Sequence, residues 1–277
     1  MRPICRASGL APYGSILFVL AALLAACRGA PENPKPDRVL VFAATSLHDV
    51  LTSLGDSFQK AHPGTEVTFN FAGSQELRTQ IEQGAAADVL AAADRKTMDT
   101  LHTAGKVGDS AVFARNEPVI VLARPSATQV APSGLADLGA ATYTGRIVVG
   151  GPDVPIGRYT QQILDKATAT LGADFRTHFE ARIVSRELNV KQVLAKVMLG
   201  EADAGIVYRT DTLGPAQTGE AAKIDVRTIN PEWNVIAEYP VAVVTGAPNA
   251  ARTAEFVAYL RGDEGQKALA AAGFLGP

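Results

Sequence analysis

From residue 39 to the C-terminus, short apolar β-branched runs alternate with amphipathic stretches, and nothing else in this chain restricts its fold as strongly. A run of about four to eight apolar residues between small turn residues is a buried strand, whereas apolar residues recurring every three or four positions form one face of a helix. VLVFAA (39–44) is such a strand, and residues 47–60 carry Val50, Leu51, Leu54 and Phe58 on one helical face. EVTFNFAG (66–73), SQELRTQIEQG (74–84) and ADVLAAA (87–93) follow as strand, helix and strand, with Gly84 closing that helix and another helix beginning after Asp94. Strand and helix in alternation predict an α/β fold with a largely parallel sheet.

A second set begins at PVIVLA (118–123). It continues through RIVVGG (146–151), a helix over 159–171, strand ARIVS (181–185), a helix over 190–199 and strand AGIVY (204–208). YPVAVVTG (239–246) then leads to a last helical stretch, 251–272, interrupted by Gly262 and Gly265. The runs PVIVLA and YPVAVV sit where the chain crosses to the second block and returns. This order predicts a two-lobed clamshell with two hinge-crossing strands, residues 39–117 plus 240–277 forming one lobe and 118–239 the other. Two independent domains in tandem are the alternative, but they would leave the C-terminal helix unable to rejoin the first block. The 277 residues suffice for two modest cores.

The N-terminus reads as an address. Arg2 and Arg6 precede an apolar run over 16–26, the order of a secretory signal, and the run is too short to span a bilayer comfortably. It ends Leu24-Ala25-Ala26-Cys27, which resembles the lipobox of bacterial lipoproteins, so Cys27 is expected to carry lipid and anchor the chain to the membrane. An ordinary secretory signal with a chance cysteine is the alternative. Residues 27–38, rich in Pro and Gly, read as a tether.

Composition removes several classes of function. Lys+Arg 26 against Asp+Glu 28 offers no basic excess for nucleic acid, and removal of residues 1–26 takes away two arginines and no acids. Cys5 and Cys27 both lie outside the patterned region, which disfavours a disulfide scaffold, a thiolate metal site and a cysteine nucleophile. His48, His62, His102 and His178 show no metal-ligand spacing, so no metal held directly by side chains and no cofactor are expected. No G-x-S-x-G elbow accompanies any serine, and carboxylates are not concentrated at the strand ends.

In open α/β sheets, ligands bind beyond the carboxyl ends of the strands, where helices begin. Ser46 follows the first strand, with Asp49 three residues on as a weak capping box, and Ser74 follows the second. The loop GGPDVPIGRY (150–159) and Asn189-Val190 precede helices, and Tyr208 ends AGIVY. Hydroxyls and helix N-termini without an obligatory cation suit a small anion. Taken singly, each serine is better read as a simple N-cap, and Tyr208 and Val190 as core residues; their joint placement at one edge points to a site. Arg158 and Arg186 could steer an anion, although surface positions suit them better. His48 is expected to be solvated, and Trp233 to shape the lobe surface.

The segments VFAATSL, FAGSQELRTQIEQGAAADV, GPDVPIGRY, ELNVKQVLAKVMLGEADAGIVY and EYPVAVV resemble the ModA family, the periplasmic molybdate-binding proteins of ABC importers, over nearly all of residues 39–277. The resemblance implies a type II periplasmic binding protein fold and a chain that is not an enzyme. It also implies a permease with its ATPase as partners, a monomeric receptor at the cell surface or in the periplasm, and molybdate or tungstate as ligand. The family's site falls on Ser46, Ser74 and Tyr208 as hydroxyl donors and on Ile156 and Val190 as backbone donors. Ile156 replaces a usual alanine and Lys191 a frequent arginine. A receptor for sulfate, thiosulfate or another small oxyanion is the runner-up. Sulfate and phosphate are expected to bind far more weakly: sulfate is too small for the cage, and hydrogen phosphate brings a proton that no donor-only cage can accept.

Overall fold

The computed structural model describes residues 37–124, 131–214 and 219–277. The proposed signal, Cys27 and the tether up to residue 36 lie outside the described residues. In chain order the elements are β1 (Asp37–Ala44), α1 (His48–Ala61), β2 (Thr65–Ala72), α2 (Ser74–Glu82), β3 (Val89–Ala91), α3 (Arg95–Thr103) and β4 (Ala111–Asn116). There follow β5 (Pro118–Ala123), α4 (Leu135–Leu138), β6 (Ile147–Gly150), α5 (Pro155–Leu171), α6 (Ala173–Ala181), β7 (Ile183–Glu187), α7 (Val190–Met198) and β8 (Ala204–Tyr208). The chain closes with β9 (Ile224–Thr228), β10 (Ala237–Val243), α8 (Ala250–Arg261) and α9 (Asp263–Ala271). β1 begins at Asp37, so the last two residues read as tether belong to the first strand.

Two five-stranded sheets organise these elements, in the orders β2-β1-β3-β10-β4 and β7-β6-β8-β5-β9. Each sheet with its helices is a lobe. The expectation of largely parallel sheets needs correction, because β10 runs antiparallel to β3 and β4, and β5 antiparallel to β8 and β9. The reason is the crossing itself. β4 and β5 are separated only by Glu117, so the chain leaves one sheet and enters the other without turning back through a helix, and the return through residues 229–236 does the same.

Both faces of the first sheet are covered, which explains its unbroken apolar runs. Side chains alternate along a strand, and Val39, Val41 and Ala43 face the large core while Phe42 faces a smaller one with Leu77, Met98 and Leu101. The C-terminal segment rejoins this lobe. Phe256 of α8 meets Phe58 of α1 edge-on at 5.1 Å, and Phe274 meets Tyr239 of β10 at 5.6 Å. Pro240 lies inside β10, and the ladder to β4 shifts register between Tyr239 and Pro240, where the proline has no N–H to give. No helix of the described residues is long and apolar enough to cross a membrane.

Candidate functional site

The carboxyl ends of the parallel strands in the two lobes face each other, and a small cavity lies between them. Ser46, Ser74, Ile156, Val190 and Tyr208 all line it, as do Thr45, Gly73 and Asn189. No Asp, Glu, Lys, Arg or His side chain is among its lining residues. The described residues contain no cluster of His, Cys, Asp or Glu able to hold a metal ion.

Neither serine is an N-cap. Ser46 lies in a 3-10 turn (Thr45–Leu47) that delays the start of α1, so the N-cap is Leu47 and the capping box expected with Asp49 does not form. Its Oγ accepts instead from the Tyr239 hydroxyl at 3.0 Å. Ser74 is the first residue of α2 rather than its cap, and its fully buried Oγ accepts from the Ala93 N–H at 3.0 Å. A hydroxyl has one proton to donate and lone pairs to accept with. A protein donor already occupies the acceptor side of both serines, which leaves each proton for an acceptor in the cavity.

Tyr208 ends β8 with 1% of its surface exposed, and its buried hydroxyl has no hydrogen-bond partner among the described residues. Burial pushes this phenol well above its usual pKa, so it remains a donor. A buried hydroxyl left unpaired costs about 1–3 kcal/mol, and one that borders a polar cavity is placed to serve a ligand. Behind it, Asp211 Oδ2 accepts from the Tyr208 N–H at 3.2 Å. Burial raises Asp211 to about 6, against the pull of Lys191, whose Nζ lies 3.7 Å away.

The second lobe contributes two helix N-termini. α5 begins with Pro155, which lacks an N–H, so the first free backbone donor of that turn is Ile156. Gly150 makes room for the isoleucine: a β-carbon there would come within 2.7 Å of Ile156 Cγ2. α7 is capped by Asn189, whose Oδ1 accepts from Gln192 N at 3.1 Å and leaves the Val190 N–H uncapped. With the start of α2, three helix N-termini and their partial positive charges converge on one cavity, beside the 3-10 turn after β1.

The lobes are shut over it. Gln75 Nε2 donates to the Leu188 carbonyl at 2.7 Å, and Lys191 Nζ lies 3.3 Å from Asp49 Oδ2, both across the cleft. Gly73 explains how the backbones come so close, since a β-carbon there would lie 2.5 Å from the Leu188 oxygen. Gly73 has φ −62°, which alanine adopts freely, so Gly73→Ala should fold but close poorly. Its ligand affinity is expected to fall at least about tenfold with the melting midpoint of the free protein unchanged, about 1.4 kcal/mol in binding alone. Titration calorimetry beside a thermal melt measures both.

Arg158 is not a surface residue, contrary to expectation. It pairs with Asp94 of the other lobe, with side-chain exposures of 13% and 6%. Sequence reasoning missed Asp94 and Tyr239 because their roles depend on partners 64 and 193 residues away. Arg186 is exposed, His48 is half exposed and bonds to Asp49 Oδ1 through Nδ1 at 2.8 Å, and Trp233 Nε1 lies 3.4 Å from Thr170 Oγ1. None of these three borders the cavity.

Known proteins share this arrangement. The model of the family described as bacterial extracellular solute-binding protein matches residues 39–275. The molybdate-binding protein ModA of Mycobacterium tuberculosis H37Rv is 36% identical over 273 residues, 95% of this chain and 97% of that protein. The molybdate-binding protein ModA of Haemophilus influenzae is 31% identical over 240 residues, covering 86% and 89%. Among solved structures, the periplasmic molybdate-binding protein of Azotobacter vinelandii shares the two-lobed fold with a TM-score of 0.70 at 24% identity, covering 86% of this chain and 99% of that one. The cavity between two closing lobes, the family match and these identities together place the chain in the ModA family of bacterial extracellular solute-binding proteins, whose business is binding a solute and not catalysis.

Proposed function

We propose that this protein is the extracytoplasmic receptor of an ABC importer for molybdate, with tungstate as an equivalent ligand. Ser46, Ser74 and Tyr208 donate hydroxyl protons to the oxyanion, and the N–H groups of Ile156 and Val190 complete the cage. The unpaired, fully buried Tyr208 hydroxyl carries this reading: it stands with two serines whose acceptor sides are already filled, in a cavity without a charged side chain. A cage made only of donors suits a fully ionised tetrahedral ligand. Molybdate and tungstate match it alike, whereas sulfate is too small to reach all donors and hydrogen phosphate brings a proton with no acceptor. The relatives named molybdate-binding support the choice of anion.

The same reading covers the rest of the chain. Residues 1–26 are a signal, Cys27 is lipidated, residues after it tether the body to the membrane, and the monomeric receptor delivers its ligand to a permease and its ATPase. The lobes expected as 39–117 plus 240–277 and 118–239 need their bounds moved, because β10 pairs with β4 from Ala237 onward and β1 begins at Asp37: residues 37–116 with 237–277 move as one lobe against 118–228. The test is a thermal melt of the body from residue 28 onward with millimolar molybdate, tungstate, sulfate or phosphate. A ligand that binds only the folded state stabilises it by about 4 kcal/mol at a thousandfold excess over Kd, a rise of roughly ten degrees for a chain of this size. Molybdate and tungstate are expected to give that rise and the other two little of it. A rise with sulfate alone moves the assignment to a sulfate receptor, and no rise with any of the four refutes the oxyanion cage.

A further inference from the structure

Beside the cavity, an ion pair joins the two lobes that the ligand cage itself does not require. Arg158 stands in the first turn of α5, two residues past Ile156. Asp94 caps α3 in the opposite lobe, immediately after Ala93, whose N–H holds Ser74 Oγ. The Asp94 carboxylate is divided between two tasks. Oδ1 accepts from the Thr97 N–H at 2.7 Å, and Oδ2 accepts from Arg158 Nη2, which also lies 3.2 Å from Thr97 Oγ1. Arg158 Nη1 donates to the Asp153 carbonyl in the loop ahead of α5. One guanidinium therefore fastens the segment that holds Ser74 to the loop that presents Ile156.

Such a bridge forms only when the lobes are shut. Opening at Glu117 and residues 229–236 parts α3 from α5 and returns both charges to water, where the pair has little value. A second charged bridge across the cleft, Lys191 to Asp49, is 34% and 69% exposed, so solvent screens it in the shut form as well. We propose that Arg158 and Asp94 form a clasp that holds the shut lobes over a bound oxyanion and slows its release. Arg158 acts as a positioning residue, since it is not among the residues that line the cavity. The clasp rests on the oxyanion reading above and adds a kinetic role to residues outside the cage.

The test follows the release of labelled molybdate chased with unlabelled molybdate from the wild type and from Arg158→Gln, Asp94→Asn and the double variant. Asn at position 94 keeps the acceptor for Thr97 N, so α3 stays capped and this variant carries the test if Arg158→Gln fails to fold. Each single variant is expected to release molybdate at least tenfold faster, with the association rate within about threefold of wild type. The double variant should release it no faster than the worse single one, because both remove the same bridge. Arg158→Lys, which retains the charge but cannot reach Asp94 and the Asp153 carbonyl together, should fall between. A wild type that binds molybdate, with variants releasing it within twofold of the wild-type rate, overturns the clasp alone. A wild type that takes up no oxyanion overturns the clasp and the oxyanion reading together.

Discussion

In the Ser46→Ala/Ser74→Ala double variant, molybdate no longer raises the melting midpoint at concentrations that stabilise the wild type by several degrees. In the proposed cage each hydroxyl donates to a charged ligand, and each such hydrogen bond is worth about 1.5–3 kcal/mol. Losing both weakens binding by roughly two to four powers of ten. The free variant should also melt lower, chiefly because Ser74 Oγ accepts the buried Ala93 N–H and alanine leaves that group unpaired, at about 1–3 kcal/mol. The informative quantity is therefore the ligand-induced shift in each protein and not the midpoint itself. A double variant that keeps the full shift removes both serines from the site.

Tyr208→Phe separates binding from stability in the opposite way. Affinity for molybdate should fall about 10- to 150-fold, the value of one donor to an anion. The free protein should melt no lower than wild type, because the Tyr208 hydroxyl gives up no protein partner when it is deleted. The ring remains, with its edge-on contact to Tyr239 at 5.7 Å between ring centres. A structural tyrosine would show the reverse, with a lower midpoint and unchanged affinity. Calorimetric titration at neutral pH settles it, since burial holds the phenol protonated far above that range.

The two results differ because of where each hydroxyl finds its second partner, and that difference marks the limit of what the sequence can show. Element types were readable wherever both faces of a strand are buried, as in β1, β6 and β8, because the apolar run is then continuous. β4 (AVFARN) and β9 (IDVRT) escaped notice because each is one of the two edge strands of its sheet and charge breaks its short apolar run. The antiparallel pairings followed from the two lobe crossings, and a pattern of strands and helices does not report direction.

Of the five positions proposed for the site, Ser46 and Ser74 stand where a strand gives way to a helix and Tyr208 and Val190 at the same kind of edge, whereas Ile156 was singled out by the resemblance alone. All five line one cavity. The α/β pattern and the five positions proposed as donors were in reach of the sequence alone, since both depend on residues a few positions apart. Only the tertiary structure decided which lone pairs are already occupied. Tyr239 reaches Ser46 across 193 positions, and Arg158 reaches Asp94 across 64. Hydrogen bonds and ion pairs act over a few ångströms of space; packing β10 into the sheet of β1 sets the first distance and closing the two lobes sets the second, and neither leaves a periodic mark in the chain.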